Sequence, residues 1–167
     1  MAEIFPTITA KNLNKKKVAI PDDFSEKNLI VIVAFQRWHQ DLVDESIETL
    51  EKENMNDNHH IIEVPVIKQF SKLRRMRLDG VMRAGIRDYD IRQRTITAYL
   101  DKQVFRSSLN IPNEDTVYWF LVDHTTKAIL LRGSGVITSE QLGQIKSASS
   151  QNHTIRVRGA GFEPANQ

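Results

Sequence analysis

The stretch Leu29–Phe35 constrains the fold of this chain more than any other. Its seven residues are all apolar and most are β-branched, which is the pattern of a strand buried on both faces of a sheet. A short polar turn follows, and an acidic amphipathic segment begins after it. In α/β domains, the carboxyl end of a central strand is where ligands and reactive groups usually lie. The first candidate site is therefore made of four turn residues: Trp38, His39, Gln40 and Asp41.

The rest of the chain alternates between extended and helical patterns. From Asp41 to about Glu53, apolar residues recur at helical spacing and predict a helix. The other predicted strands are an edge strand at 18–20 closed by Pro21, a strand at 60–64 ended by Pro65, a strand at 94–100, and a hairpin of strands 116–123 and 127–132. The other predicted helices lie at 66–88, at 101–109 and at 138–145. Asp101 caps the second of these helices, and a Thr138–Gln141 capping box opens the third. This order, β-β-α-β-α-β-α-β-β-α, predicts an α/β fold with a mixed central sheet and helices on both faces.

The composition removes several classes of chemistry. The chain of 167 residues has no cysteine, which excludes disulfides, thiolate nucleophiles and iron–sulfur or cysteine-bound zinc sites. Its formal net charge of +2 is too small to predict a nucleic-acid or membrane partner. No window reaches the roughly 18 consecutive apolar residues of a membrane helix, and no signal peptide is visible. We expect no membrane insertion and a cytoplasmic location.

The chain is predicted to form one domain, residues 1–147. Residues 148–167 are polar and lose hydrophobic periodicity, so we expect a disordered tail. Within it, Gly161–Pro164 can be encoded by the complement of a transfer-RNA T-arm. The tail is therefore predicted to be incidental, read from a transfer-RNA gene on the opposite strand.

Several of these stretches resemble the thioredoxin-like superfamily in its peroxiredoxin and TlpA-type form. Phe5-Pro6 with Lys17–Pro21 is similar to the opening hairpin of that family, Leu29–Phe35 to the strand that enters the active site, and residues 116–131 to the closing hairpin. The resemblance covers roughly residues 5–147 and implies a thioredoxin-like fold. It also implies a cysteine nucleophile just after the first central strand, and here the chain departs from the family.

His39 lies about where that nucleophilic cysteine is expected, after Trp38. Leu42 lies where the second cysteine of a Cys-x-x-Cys motif is expected. Neither side chain can replace a low-pKa thiolate, so thiol peroxidase and disulfide reductase activities are predicted to be absent.

A narrower resemblance is carried by Val64-Pro65 and Asp79–Gly85. These stretches are similar to the middle section of the cysteine-free, thioredoxin-like mitochondrial assembly factors for ATP synthase. This resemblance implies a chaperone-like, protein-binding role with no cofactor.

Residues 68–94 are the most basic part of the chain, with nine lysines and arginines against three aspartates. This segment can bind an acidic protein partner or phosphate groups, and its candidate binding residues are Arg74, Arg75, Arg77, Arg83 and Arg87. The competing interpretation is that it pairs with the acidic helix 41–53 or with a neighbouring subunit.

The remaining candidates are weaker. His39 and Asp41 could act as an acid–base pair near neutral pH, with Arg132 or Arg83 from elsewhere. His59, His60 and Glu63 could hold a metal, but neighbouring strand residues point to opposite faces, so no metal is expected. Three functions stay open: a non-redox binding or assembly module, an enzyme using His39 and Asp41, and nucleic-acid binding through residues 68–94.

Overall fold

A computed structural model describes the backbone of residues 3–67 and 94–159, and the side chains of these ranges as far as Ser149. The strands are β1 (Ile8–Asn12), β2 (Lys17–Ile20), β3 (Asn28–Ala34), β4 (His59–Ile67), β5 (Ile96–Tyr99), β6 (Tyr118–Val122) and β7 (Ile129–Ser134). The helices are α1 (Gln40–Lys52), α2 (Lys102–Ser108) and α3 (Ser139–Gly159).

The strands form one mixed sheet in the order β2-β1-β5-β4-β3-β6-β7. Strands β5, β4 and β3 are parallel, and the other neighbours pair antiparallel. Within the described ranges the element types follow the predicted order, with β1 in addition, so the α/β prediction is confirmed.

Every residue of β3 is buried, as its apolar pattern predicted. Its even-numbered residues, such as Ile30 and Ile32, pack in a cluster with α1 and α3. Its odd-numbered residues, such as Val31 and Val33, pack on the other face with Phe105 of α2. Helices therefore cover both faces of the sheet, and the carboxyl end of β3 opens directly into the turn before α1.

Two helix caps are confirmed. The Thr138 hydroxyl accepts the Gln141 amide at 3.2 Å while the Gln141 side chain accepts the Thr138 amide at 3.0 Å, which is a capping box. The Asp101 carboxylate accepts the amides of Gln103 and Val104 at the start of α2.

Two strand predictions were wrong. Residues 8–12, for which no strand was predicted, form β1, whose alternating buried and exposed positions are those of a short strand near the sheet edge. Strand β4 does not end at Pro65 but runs to Ile67, so residues 66–67 are not helical. Pro65 is tolerated because the ladder with β3 ends at that residue and the ladder with β5 continues from Val66.

The prediction that the last helix ends near Ile145 was also wrong. Helix α3 continues to Gly159, because the chain has no proline or glycine between Gly143 and Gly159 to stop it. The first part of the predicted disordered tail, 148–159, is thus helical, whereas 160–167 lie outside the described residues. The domain boundary at 147 stays a prediction. None of the helices described is long and apolar enough to cross a membrane.

Candidate functional site

The strand–helix junction, residues 35–41, is organised around the ring of His39. A short 3₁₀ turn, Arg37–His39, follows Gln36 and runs straight into α1. The Nδ1 atom of His39 accepts the backbone N–H of Phe35 at 3.0 Å and that of Gln36 at 3.2 Å. The ring therefore satisfies two amides that the end of β3 would otherwise leave buried without a partner.

This bonding fixes the chemical state of His39. Because Nδ1 is an acceptor, the neutral ring carries its proton on Nε2. Nε2 is buried and has no hydrogen-bond partner among residues 3–67 and 94–149. Burial lowers the pKa of His39, with the backbone carbonyl of Asp115 opposing that effect. The side chain is 0% exposed and its acceptor atom is already used, which argues against the hypothesis of acid–base catalysis by His39.

The other predicted residues of the junction lie in different surroundings. Trp38 is 59% exposed, and its ring meets the His39 ring edge-on with centroids 4.4 Å apart. Gln40 is exposed and donates to Asp44 at 2.9 Å. Asp41 is exposed in the first turn of α1. The structure thus brings Trp38 and His39 together but forms no His39–Asp41 pair.

Polar contacts that no sequence pattern predicted close the junction from the other side. Lys102 of α2 donates to the Phe35 carbonyl at 2.8 Å and pairs with Glu114 at 3.7 Å. Arg106 also pairs with Glu114, at 3.3 Å, and Gln36 reaches the Glu114 carbonyl at 3.5 Å. Because Lys102 and Phe35, and likewise Gln36 and Glu114, are far apart in the sequence, no local pattern could predict these contacts.

The sequence also did not predict that β4 carries a buried carboxyl group, that of Glu63. Glu63 is 2% exposed, and burial raises its pKa to about 7, while Arg94 opposes that rise. The Arg94 guanidinium pairs with Glu51 of α1 at 3.0 Å. Glu63 therefore lies between the sheet and α1 as a carboxyl that is partly protonated near neutral pH.

The two neighbouring histidines do point apart, as predicted. His59 is buried and contacts the Met55 carbonyl and the Ser149 hydroxyl, whereas His60 contacts the Ser25 carbonyl. Among the residues that the structure describes, no group of three or more histidines, aspartates or glutamates could hold a metal ion.

The predicted basic binding residues Arg74, Arg75, Arg77, Arg83 and Arg87 lie outside the described residues. Arg94, at the end of the same segment, is described, and it pairs with Glu51. At this position, the competing interpretation of pairing with the acidic helix holds.

The model of a family described as ATP10 protein matches residues 1–151. A search of curated proteins returned no match. The matched residues make up most of the chain.

Three solved structures illustrate those likenesses. A thiol:disulfide interchange protein from Bacteroides sp. is 14% identical, with 90% of each chain covered and a TM-score of 0.57. The exposed lipoprotein thioredoxin Etrx1 of Streptococcus pneumoniae is 10% identical, with 85% of this chain and 99% of that chain covered and a TM-score of 0.59. BsSco, from the Sco family of cytochrome c oxidase assembly proteins, is 17% identical, with 90% and 95% covered and a TM-score of 0.58. The fold is thioredoxin-like, as predicted.

Proposed function

This chain belongs to the ATP10 protein family, and from that membership we propose that it is a non-redox, thioredoxin-like binding module that helps to assemble a protein complex. Its family and its fold both support an assembly-type role. The partner we propose is a subunit of ATP synthase, the complex that this family of assembly factors serves.

The observation that carries the proposal is the state of the junction at residues 35–41. Where redox relatives need an accessible thiolate, this chain holds a fully buried imidazole bonded to two backbone amides. The junction is built for rigidity, and the chain has no cysteine to supply electrons or a disulfide. A rigid thioredoxin-like surface without a nucleophile supports binding rather than catalysis.

The exposed side chain at the same junction supports the same function. Trp38 is 59% exposed although Phe35 and His39 are buried on either side of it. Exposed tryptophan is unusual on a surface without a partner and common at the centre of protein interfaces. We propose that Trp38 contacts the assembly partner, with Arg74, Arg75 and Arg77 as further contacts to an acidic surface.

The experiment is deletion and complementation in the source cell. Deleting the gene should lower the amount of assembled ATP synthase, resolved on a native gel and stained by ATP hydrolysis, while its unassembled subunits persist or are degraded. The wild-type gene should restore the complex, and the source cell's thiol-oxidising state should make no difference because no thiol takes part.

The proposal fails if the deletion leaves assembled ATP synthase at its normal level. A cysteine-containing thioredoxin provides the matched control: its expression in the deletion strain should restore nothing. Restoration by that control would indicate that the missing activity is a redox one, which also contradicts the proposal.

A further inference from the structure

Helix α1 presents an acidic face that begins at the exposed Trp38. We propose that this face, made of Trp38, Asp41, Glu45 and Glu48 and called the Trp38 face below, binds a basic segment of the partner protein. The inference rests on the proposed function and adds the chemistry of the partner.

The Trp38 ring is exposed but held in place. Its edge-on contact with His39 puts the two ring centroids 4.4 Å apart, and His39 is itself fixed by the amides of Phe35 and Gln36. A side chain that is already positioned loses little conformational entropy when a partner binds. The Trp38 ring is therefore positioned by its contact with His39 while more than half of it stays accessible to a partner.

The carboxylates of the face share a helical spacing with Trp38. Positions 38, 41, 45 and 48 are three or four residues apart and lie on one side of the turn and helix, and all four side chains are exposed. No hydrogen bond or ion pair joins the carboxylate of Asp41 or Glu45 to any residue of 3–67 or 94–149. Glu48 reaches only Lys52, at 3.9 Å, and both of these side chains are largely exposed.

The contrast with the end of α1 is informative. There, Glu51 pairs with Arg94 at 3.0 Å and Glu53 pairs with Lys146 at 3.0 Å. The carboxylates near the end of the helix thus have cations from the domain itself, whereas Asp41 and Glu45 have none among residues 3–67 and 94–149. Charge complementarity therefore points to a partner that supplies lysine or arginine.

An aromatic ring beside carboxylates suits the same cations. Lysine and arginine side chains are attracted to the face of tryptophan within about 6 Å of the ring centroid, and a neighbouring carboxylate adds an ion pair to the same group. Arg37 is the exposed cation next to Trp38, and it repels a basic chain on that side. The partner segment is thus expected to run along α1 from Trp38 towards Glu48.

The test uses the full chain and a labelled peptide of alternating lysine and alanine, with binding followed by fluorescence anisotropy at low salt. Trp38→Ala and the double variant Asp41→Asn/Glu45→Gln should each weaken binding about threefold to tenfold. The matched control, Asp57→Asn/Glu140→Gln, removes two exposed carboxylates elsewhere and should bind as the wild type does. A peptide of glutamate and alanine should not bind.

Equal peptide binding by the wild type and Asp41→Asn/Glu45→Gln overturns the inference. An equal loss of peptide binding in the control variant also overturns it. Either result shows that the carboxylates of the Trp38 face have no specific role in binding. The complementation assay separates this failure from that of the proposed function. If the wild type and both Trp38-face variants restore assembled ATP synthase equally, the assembly role stands and the docking surface is rejected. If the Trp38-face variants alone fail to restore it, both stand.

Discussion

The Nζ atom of Lys102 donates a hydrogen bond of 2.8 Å to the carbonyl oxygen of Phe35. This contact joins the first turn of α2 to the residue that follows β3, and Glu114 holds the ammonium group from the loop before β6. The strand–helix junction is therefore fixed by a side chain from a distant element as well as by His39.

Replacing Lys102 with methionine should lower the free energy of unfolding by about 1–2 kcal/mol, because the stem still packs but the charged hydrogen bond is lost. Urea unfolding measures this difference. Lys102→Arg keeps a donor and should lose less. A loss in the methionine variant no larger than that in the arginine variant would contradict a role for the bond.

Replacing His39 with alanine should destabilise the domain by roughly 2–4 kcal/mol, because the buried amide of Phe35 and the partly buried amide of Gln36 lose their acceptor and a cavity forms. His39→Asn is the informative control, since an asparagine carbonyl can accept the same amides. We expect thermal unfolding to rank the three proteins as wild type, then His39→Asn, then His39→Ala. An asparagine variant as unstable as the alanine variant would show that ring packing, and not the acceptor, is what matters.

Glu63 should make stability depend on pH. Burial raises its pKa from 4.5 to about 7, so between these values the folded chain keeps a proton that the unfolded chain releases. The protonated Glu63 contributes fully to the free energy of unfolding below about pH 4.5. This contribution is lost as the pH rises through about 7, which lowers the free energy of unfolding by roughly 3 kcal/mol in total.

Glu63→Gln removes this titration. Relative to the wild type, the variant should gain stability steadily from about pH 4.5 to 7 in chemical unfolding measured at each pH. A constant difference between the two proteins over this range would mean that the carboxyl does not titrate there.

Gly133 and Gly143 form a matched pair of glycines. A Cβ atom on Gly133 would lie 2.4 Å from the ring of the buried Trp119, so Gly133→Ala should destabilise the domain by about 1–3 kcal/mol. A Cβ on Gly143 meets nothing within 4 Å, and in helix α3 alanine should add up to about 1 kcal/mol. Melting temperatures of the two variants should therefore move in opposite directions; a shift in the same direction would refute the steric argument.

The parts of the fold that sequence could predict are those set by local chemistry. The buried run ending at Phe35 identified the central strand, and the caps at Asp101 and Thr138 appear where their side chains predicted them. The failures are positions where tertiary pairing decides. Residues 8–12 become a strand because β2 and β5 flank them, and Pro65 stays within a strand because its ladder partner changes there.

The positions of the junction residues in the fold were predicted, but their contacts were not. The sequence located Trp38 and His39 at the junction, yet only the structure shows that the imidazole of His39 faces inward and accepts main-chain amides. Lys102 and Glu63 escaped prediction because their partners, Phe35 and Arg94, are tens of residues away. Such contacts leave no periodic signal.

The two amides held by His39 bear on whether thiol chemistry could be introduced into this domain by substitution. A cysteine at position 39 would place a shorter side chain with a weaker acceptor against the amides of Phe35 and Gln36. A second cysteine, at Leu42, would then be needed before any disulfide could form. The first of these two substitutions would reduce stability before the second allowed a disulfide to form, so His39 opposes the introduction of a redox centre at this junction.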